Sequence, residues 1–146
     1  MFIPERQLAV AKELWDRFPD SSEATKWMVN SMENCMTEDG GVSKTIDFVD
    51  TALKESKGIR SQLLLLKARA TLQKQKGISA AEKRVLVSDL LLEAYTVHDK
   101  SKEADDFLGL SNVNFLDFDP SFSQYFSTVE REALKVRMQR AKTTKD

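Results

Sequence analysis

Apolar residues recur along this chain at intervals of three and four, with polar residues between them, which is the pattern of one buried helix face. Leu8, Ala11, Leu14, Trp15 and Phe18 form the first such stripe. Pro4 suits a first helical position, and Pro19 ends the stripe by pushing the preceding residue out of helical geometry. Asp20-Ser21-Ser22-Glu23 reads as the capped start of a second helix, with Trp27, Met28, Ser31, Met32 and Cys35 on its buried side. Thr37 to Gly41 breaks it. A third helix, from about Ser43 to Ser56, presents Ile46, Val49, Ala52 and Leu53, widened by Phe48, and Lys57-Gly58 stops it. The fourth, from about Arg60 to Lys76, carries one stripe of Leu64, Leu65, Ala68 and Leu72 and a second of Leu63, Leu66 and Ala70, so it must be covered on two sides. Ser79-Ala80-Ala81-Glu82 is a capping box. It opens a fifth helix with Leu86, Leu90, Ala94 and Val97 on one stripe and Val87, Leu91, Leu92 and Tyr95 broadening it; His98-Asp99-Lys100 ends it.

Beyond residue 100 the pattern is less regular. A short sixth helix is expected from Ser101, fading by Gly109, then a connector to Asp119. A last helix is expected from Asp119-Pro120 to about Ala141, with a bend near Ser127; Ser127-Thr128-Val129-Glu130 is an alternative start. No run alternates cleanly between apolar and polar residues, so no strand is expected. The fold class expected is all-α.

The stops at Pro19, Lys57-Gly58 and His98-Asp99 stand about forty residues apart, and each interval holds two helices joined by a Gly-containing turn, the spacing of a helical array. Leu8 to Ser21 resembles the second helix of a tetratricopeptide repeat with its terminal proline. Leu63 to Lys74 resembles a first helix, and Thr45 to Leu53 a second. The resemblance covers roughly residues 5–98. It implies a right-handed α-solenoid of antiparallel helix pairs with a C-terminal capping helix. Repeats would fill residues 1–100, and the aromatic connector and last helix (101–146) would pack on them as part of one domain. The spacing is longer than the family's roughly 34 residues, and the family's Gly-then-Tyr signature is missing. Other helix-pair arrays and a compact bundle fit the same periodicity.

The chain has 146 residues, 41% of them hydrophobic and 31% charged, with only 5 Gly and 3 Pro. That is one globular domain of long helices. A net charge of −1 gives no overall pull toward nucleic acid or an anionic membrane. No apolar run is long enough to span a bilayer and the start carries no signal core, so the cytoplasm is the default expectation, with the nucleus compatible.

Candidate chemistry is sparse. One His and one Cys cannot make a usual zinc set, so no metal is expected. His98 reads as a helix-end cap, and Cys35, among Met28, Met32 and Met36 with acids nearby, as a buried unreactive thiol. Gly40-Gly41 lacks the lysine and strand of a phosphate loop. No cofactor is expected, and the chain is not expected to be an enzyme.

What is left is surface. By the resemblance, first helices line a concave face, where Lys26, Asn30 and Glu33 on one helix and Arg60, Lys67 and Lys74 on another would meet a protein partner, either a peptide or a complex subunit. Five of the eight phenylalanines fall between Phe107 and Phe126. Phe115, Phe118, Phe122, Tyr125 and Phe126 either cap the end of the repeats or dock on a partner. The expected function is a non-catalytic protein–protein interaction scaffold or adaptor. The alternative is a ribonucleoprotein subunit that touches RNA phosphates through Lys135, Arg137, Arg140, Lys142 and Lys145. The sequence assigns no homo-oligomeric state and no membrane.

Overall fold

Local signals start most of the helices. In the computed structural model, which describes residues 4–74, 76–99, 110 and 112–144, Pro4 opens α1 (Pro4–Arg17). Ser21 caps α2 (Ser22–Cys35), its hydroxyl accepting from the Ala24 N–H at 3.3 Å. Ser79 caps α5 (Ala80–Val97) by accepting from the Glu82 N–H at 3.2 Å. Between them lie α3 (Gly41–Lys54) and α4 (Arg60–Gln73), and after them the single turns α6 (Phe115–Phe118) and α7 (Pro120–Ser123), then α8 (Thr128–Thr144). The described residues are all-α. The expected short helix at residues 101–109 lies outside them.

Several expectations need correction. α3 starts at Gly41, not Ser43, because Gly41 lets its first turn press on the end of α2: a Cβ there would stand 1.9 Å from the Cys35 carbonyl oxygen. α4 ends at Gln73, three residues before Lys76. The expected continuous last helix is broken, with the aromatic turns separate from α8. The Ser127 hydroxyl accepts from the Glu130 N–H at 3.2 Å, and the Glu130 carboxylate accepts from the Ser127 N–H at 2.8 Å. This reciprocal box starts α8, while the first signal, Asp119-Pro120, caps only the single turn α7, where the Asp119 carboxylate accepts from the Ser121 N–H at 2.9 Å. Trp27, expected inside, is 42% exposed; Phe18, beyond the last turn of α1, and Leu86 are exposed as well.

Successive helices run antiparallel, as their cross-links show. Gln7 at the start of α1 meets Asn34 at the end of α2, Asp50 of α3 meets Lys67 of α4, and Arg60 at the start of α4 meets Glu93 near the end of α5. Alternate helices run parallel: on α2 and α4, Ser22 pairs with Gln62 and Glu33 with Arg69. The turns of successive hairpins meet at one end, where the Gly58 N–H donates to the Pro19 carbonyl and the Ile59 N–H to the Thr25 hydroxyl, both at 3.0 Å. Gly58 has φ +88° and lies flat against Trp15, leaving no space for a Cβ.

The two stripes of α4 enter two different cores. Leu63, Leu66 and Ala70 pack with Trp15, Met28, Val29, Met32 and Val49. Leu64, Leu65, Ala68 and Leu72 pack with Val87, Leu91 and the aromatic segment. Each of these leucines is almost fully buried, which stabilises the fold by about 1.5–3 kcal/mol apiece before entropy is counted. α8 then lies beside α5 and parallel to it, with Arg84 bonded to Glu130 and Arg137 near Asp89.

Candidate functional site

The α1–α2 hairpin carries a polar stripe on its outer side. Glu23, Lys26, Trp27 and Asn30 recur on α2 at helical spacing, and with Gln7 of α1 they line a shallow cleft of about 280 Å³. Trp27 is the large apolar element in it, while its neighbour Met28 is buried at 1% exposure on the other side of the helix. The position of Trp27 was legible in principle, since Glu23, Lys26 and Asn30 surround it at helical intervals. Its size argued for the core, and the stripe it belongs to argued for the surface.

The structure divides the six residues expected to face a partner. Lys26 and Asn30 share the Trp27 cleft. Glu33 turns the other way and accepts from Arg69 at 2.6 Å. Arg60 and Lys67 are engaged with Glu93 and Asp50 at 2.9 and 2.6 Å, and so lie toward α5 and α3. Lys74, with Lys76 and Lys83, borders a wider depression at the start of α3, beside Glu38 and Asp39. The α2 and α4 residues therefore do not converge on one groove.

The aromatic segment is mostly interior. Phe115, Phe122 and Phe126 are buried, with Phe115 and Phe122 edge to face at 5.8 Å, and they join the core of α4, α5 and α8. Phe118 and Tyr125 are exposed. Arg69 holds the segment from below: it donates to Asp119 at 2.9 Å and stands over the Phe122 ring at 5.6 Å. Burial alone would raise the Asp119 pKa, but the bonds from Arg69 and from the Ser121 N–H outweigh it and leave the carboxyl below its usual value.

The basic run on α8 is divided between interior and surface. Lys135 is buried and donates to both Asp117 and Glu132, hydrogen bonds that raise its pKa above the usual lysine value. The same bond from Lys135, helped by Arg131, lowers the Asp117 pKa against its desolvation. Lys142 sits 4.5 Å from the Tyr95 ring centre. Arg137 and Arg140 are exposed. Lys145 lies outside the described residues.

Cys35 is buried and unpaired, as expected of a packing thiol. His98 occupies the C-cap of α5 and is buried. Among the described residues, no cluster of His, Cys, Asp and Glu is arranged to hold a metal ion, and no helix is long and apolar enough to cross a membrane. No family model, curated protein or solved structure matches this chain. The candidate site therefore rests on its own geometry.

Proposed function

We propose that this chain is a non-catalytic interaction scaffold, similar in organisation to tetratricopeptide repeats, that grips a protein partner through the outer face of its first hairpin. The alternation of antiparallel neighbours and parallel next-neighbours supports the repeat-like reading, because a stack of hairpins has that pattern. Trp27 carries the binding reading. An exposed tryptophan set in a cleft between amide and charged side chains offers a partner a large apolar anchor with polar groups around it to fix register. Asn30 and Gln7 supply amides that can bond a peptide backbone, and Glu23 and Lys26 supply one charge of each sign. The partner favoured is a short segment with an apolar side chain to lay against the indole, flanked by polar residues.

The test is a comparison of partners recovered by affinity purification and mass spectrometry with the native chain and with Trp27→Ser. Because Trp27 is exposed, the substitution should leave the thermal melt within about 0.5 kcal/mol of native stability. At least one specific partner should be lost. Recovery of the same partners at the same yield would remove this cleft from the function.

A further inference from the structure

The α2–α3 turn and the α4–α5 turn come side by side at the end of the stack opposite Gly58, and a depression of about 750 Å³ lies between them. Five charged residues line it, sorted by sign. Glu38 and Asp39 belong to the α2–α3 turn. Lys74 and Lys76 belong to the α4–α5 turn, and Lys83 to the start of α5.

These charges behave unlike others on neighbouring helices. Asp16–Lys57, Asp50–Lys67, Arg60–Glu93 and Glu33–Arg69 all close across helix boundaries, at 2.6–2.9 Å. Among the described residues, none of the five side chains around the depression makes an ion pair or a hydrogen bond, although both signs line the same space. A basic wall and an acidic wall therefore stand apart with their charges unmet.

The arrangement says what fits between the walls. A uniformly acidic ligand meets the lysines but is repelled by Glu38 and Asp39, and a uniformly basic one has the opposite difficulty. A polypeptide in extended conformation satisfies both walls when its acids and bases alternate, because successive side chains point to opposite sides. Its backbone would pass Gln73 and Tyr125, whose amide and phenol can bond to peptide groups. Three cations against two anions favour a segment with one acid more than it has bases.

We infer that the depression between Glu38 and Asp39 on one side and Lys74, Lys76 and Lys83 on the other is a docking surface for an extended segment of a partner protein in which acidic and basic residues alternate. It shares no residue with the Trp27 cleft, so the two surfaces stand or fall separately. Exposed ion pairs are weak one by one, so a short segment binds with a dissociation constant on the order of 1 mM at low salt.

The experiment is a ¹H–¹⁵N NMR titration of the full chain with acetyl-Glu-Lys-Glu-Lys-Glu-amide, compared with the block isomer acetyl-Glu-Glu-Glu-Lys-Lys-amide. Both have the same composition, and both are too short to form a helix in water. The alternating peptide should shift the amides around Ser43, Lys74 and Lys83 and leave the Trp27 indole N–H in place. The block isomer should bind about fivefold more weakly, and raising the salt from about 10 mM to 0.3 M should weaken the alternating peptide by a similar factor. Lys74→Glu with Lys83→Glu turns the depression acidic. That variant should lose the alternating peptide and take up acetyl-pentalysine-amide. Glu38→Lys with Asp39→Lys turns it basic and should take up acetyl-pentaglutamate-amide instead. None of the four substituted side chains is buried or paired among the described residues, so the circular dichroism of both variants should match the native chain. No shift at about 5 mM alternating peptide overturns the proposal. So do equal affinities for the two isomers, or variants that hold the alternating peptide as the native chain does. A native chain that prefers pentaglutamate would make the depression a plain anion patch and overturn it as well.

Discussion

Arg69 and Asp119 are fifty residues apart in sequence and share a 2.9 Å ion pair that ties the aromatic segment to the middle of the helical stack. The same guanidinium reaches Glu33 on α2, so one side chain joins α2, α4 and the head of α7. Arg69 is 13% exposed, and its loss would leave two carboxylates facing each other without a cation.

Arg69→Met is accordingly expected to destabilise the protein by roughly 2 kcal/mol or more, since removing the common partner of two part-buried charges costs more than losing an exposed pair. Urea unfolding followed by circular dichroism measures it. A loss below about 0.5 kcal/mol, the scale of an ordinary surface change, would mean that the aromatic segment is held by its apolar contacts alone.

The same pair predicts an acid response. The folded pKa of Asp119 lies below its usual value, and so do those of Asp117 and Glu130. Groups of this kind bind protons more weakly folded than unfolded. Their stabilisation is present above the unfolded carboxylate range, near pH 4, and is lost as pH falls through the lower folded values. Lys135 has the opposite sign: its contribution is held below the usual lysine pKa and is lost only as pH rises through its raised folded value. Unfolding midpoints should therefore be flat through neutrality and fall steeply below pH 4. Asp119→Asn should make that fall shallower, and an identical slope in the variant would show that Asp119 is not one of the groups responsible.

Leu63 and Leu64 show what the sequence made legible. Two apolar stripes on one helix required two covers, and the fold supplies two cores that α4 divides between them. Capping signals were equally readable at Ser21, Ser79 and Ser127, because a cap is a local bond between near neighbours. The Arg69–Asp119 tie and the parallel pairing of α5 with α8 could not be read, because their partners are brought together only by packing across the connector. Trp27 was misread for a different reason: its apolar area outweighed the polar stripe around it. The cations on α4 and α8 were read as surface charge, yet Arg60, Lys67 and Lys135 are each paired with an acid from another helix, and helical periodicity does not encode such cross-helix pairs.

The two cores should respond independently. Trp15→Ala opens the first, where the indole is 5% exposed, and Met138→Ala opens the second, where the side chain is fully buried. Expected costs are about 3–5 and 2–5 kcal/mol, and in the double variant the two should add within about 0.5 kcal/mol, because the two side chains belong to separate buried clusters that meet only at α4 and at the partly buried Leu53. Where the double variant is too unstable to fold, the milder pair Val49→Ala and Leu134→Ala reads the same additivity. Strong coupling in both cycles would show that α4 transmits packing from one core to the other.

Two glycines separate backbone obstruction from side-chain obstruction. A Cβ at Gly58 would meet the far edge of the Trp15 indole at 2.4 Å, and the positive φ adds strain. A Cβ at Gly41 would meet the Cys35 carbonyl, which is backbone. Both alanine substitutions should cost about 2 kcal/mol or more. Trp15→Leu should recover part of the Gly58→Ala loss, leaving the roughly 1 kcal/mol due to φ. No side-chain truncation at Cys35 should recover Gly41→Ala. A double-mutant cycle in urea decides it, and an absence of coupling between positions 15 and 58 would mean that the turn moves to admit the methyl.

The reciprocal box at the start of α8 sets where the last helix begins. Ser127→Ala removes the acceptor for the Glu130 N–H and should cost about 1 kcal/mol. Hydrogen exchange should speed up most at the first turn of α8 and least at Met138, which is anchored in the core. Glu130 adds a pH handle: the Ser127 N–H, then the Ser127 hydroxyl, and further on Arg84, hold its pKa below the usual glutamate value. Exchange at that turn should therefore quicken as the pH is lowered through this depressed value, once the intrinsic acid dependence of exchange is divided out. In Ser127→Ala the acceleration should begin at higher pH, because the hydroxyl no longer helps to hold the carboxylate ionised. Equal onset in both proteins would show that the box does not govern the first turn of α8.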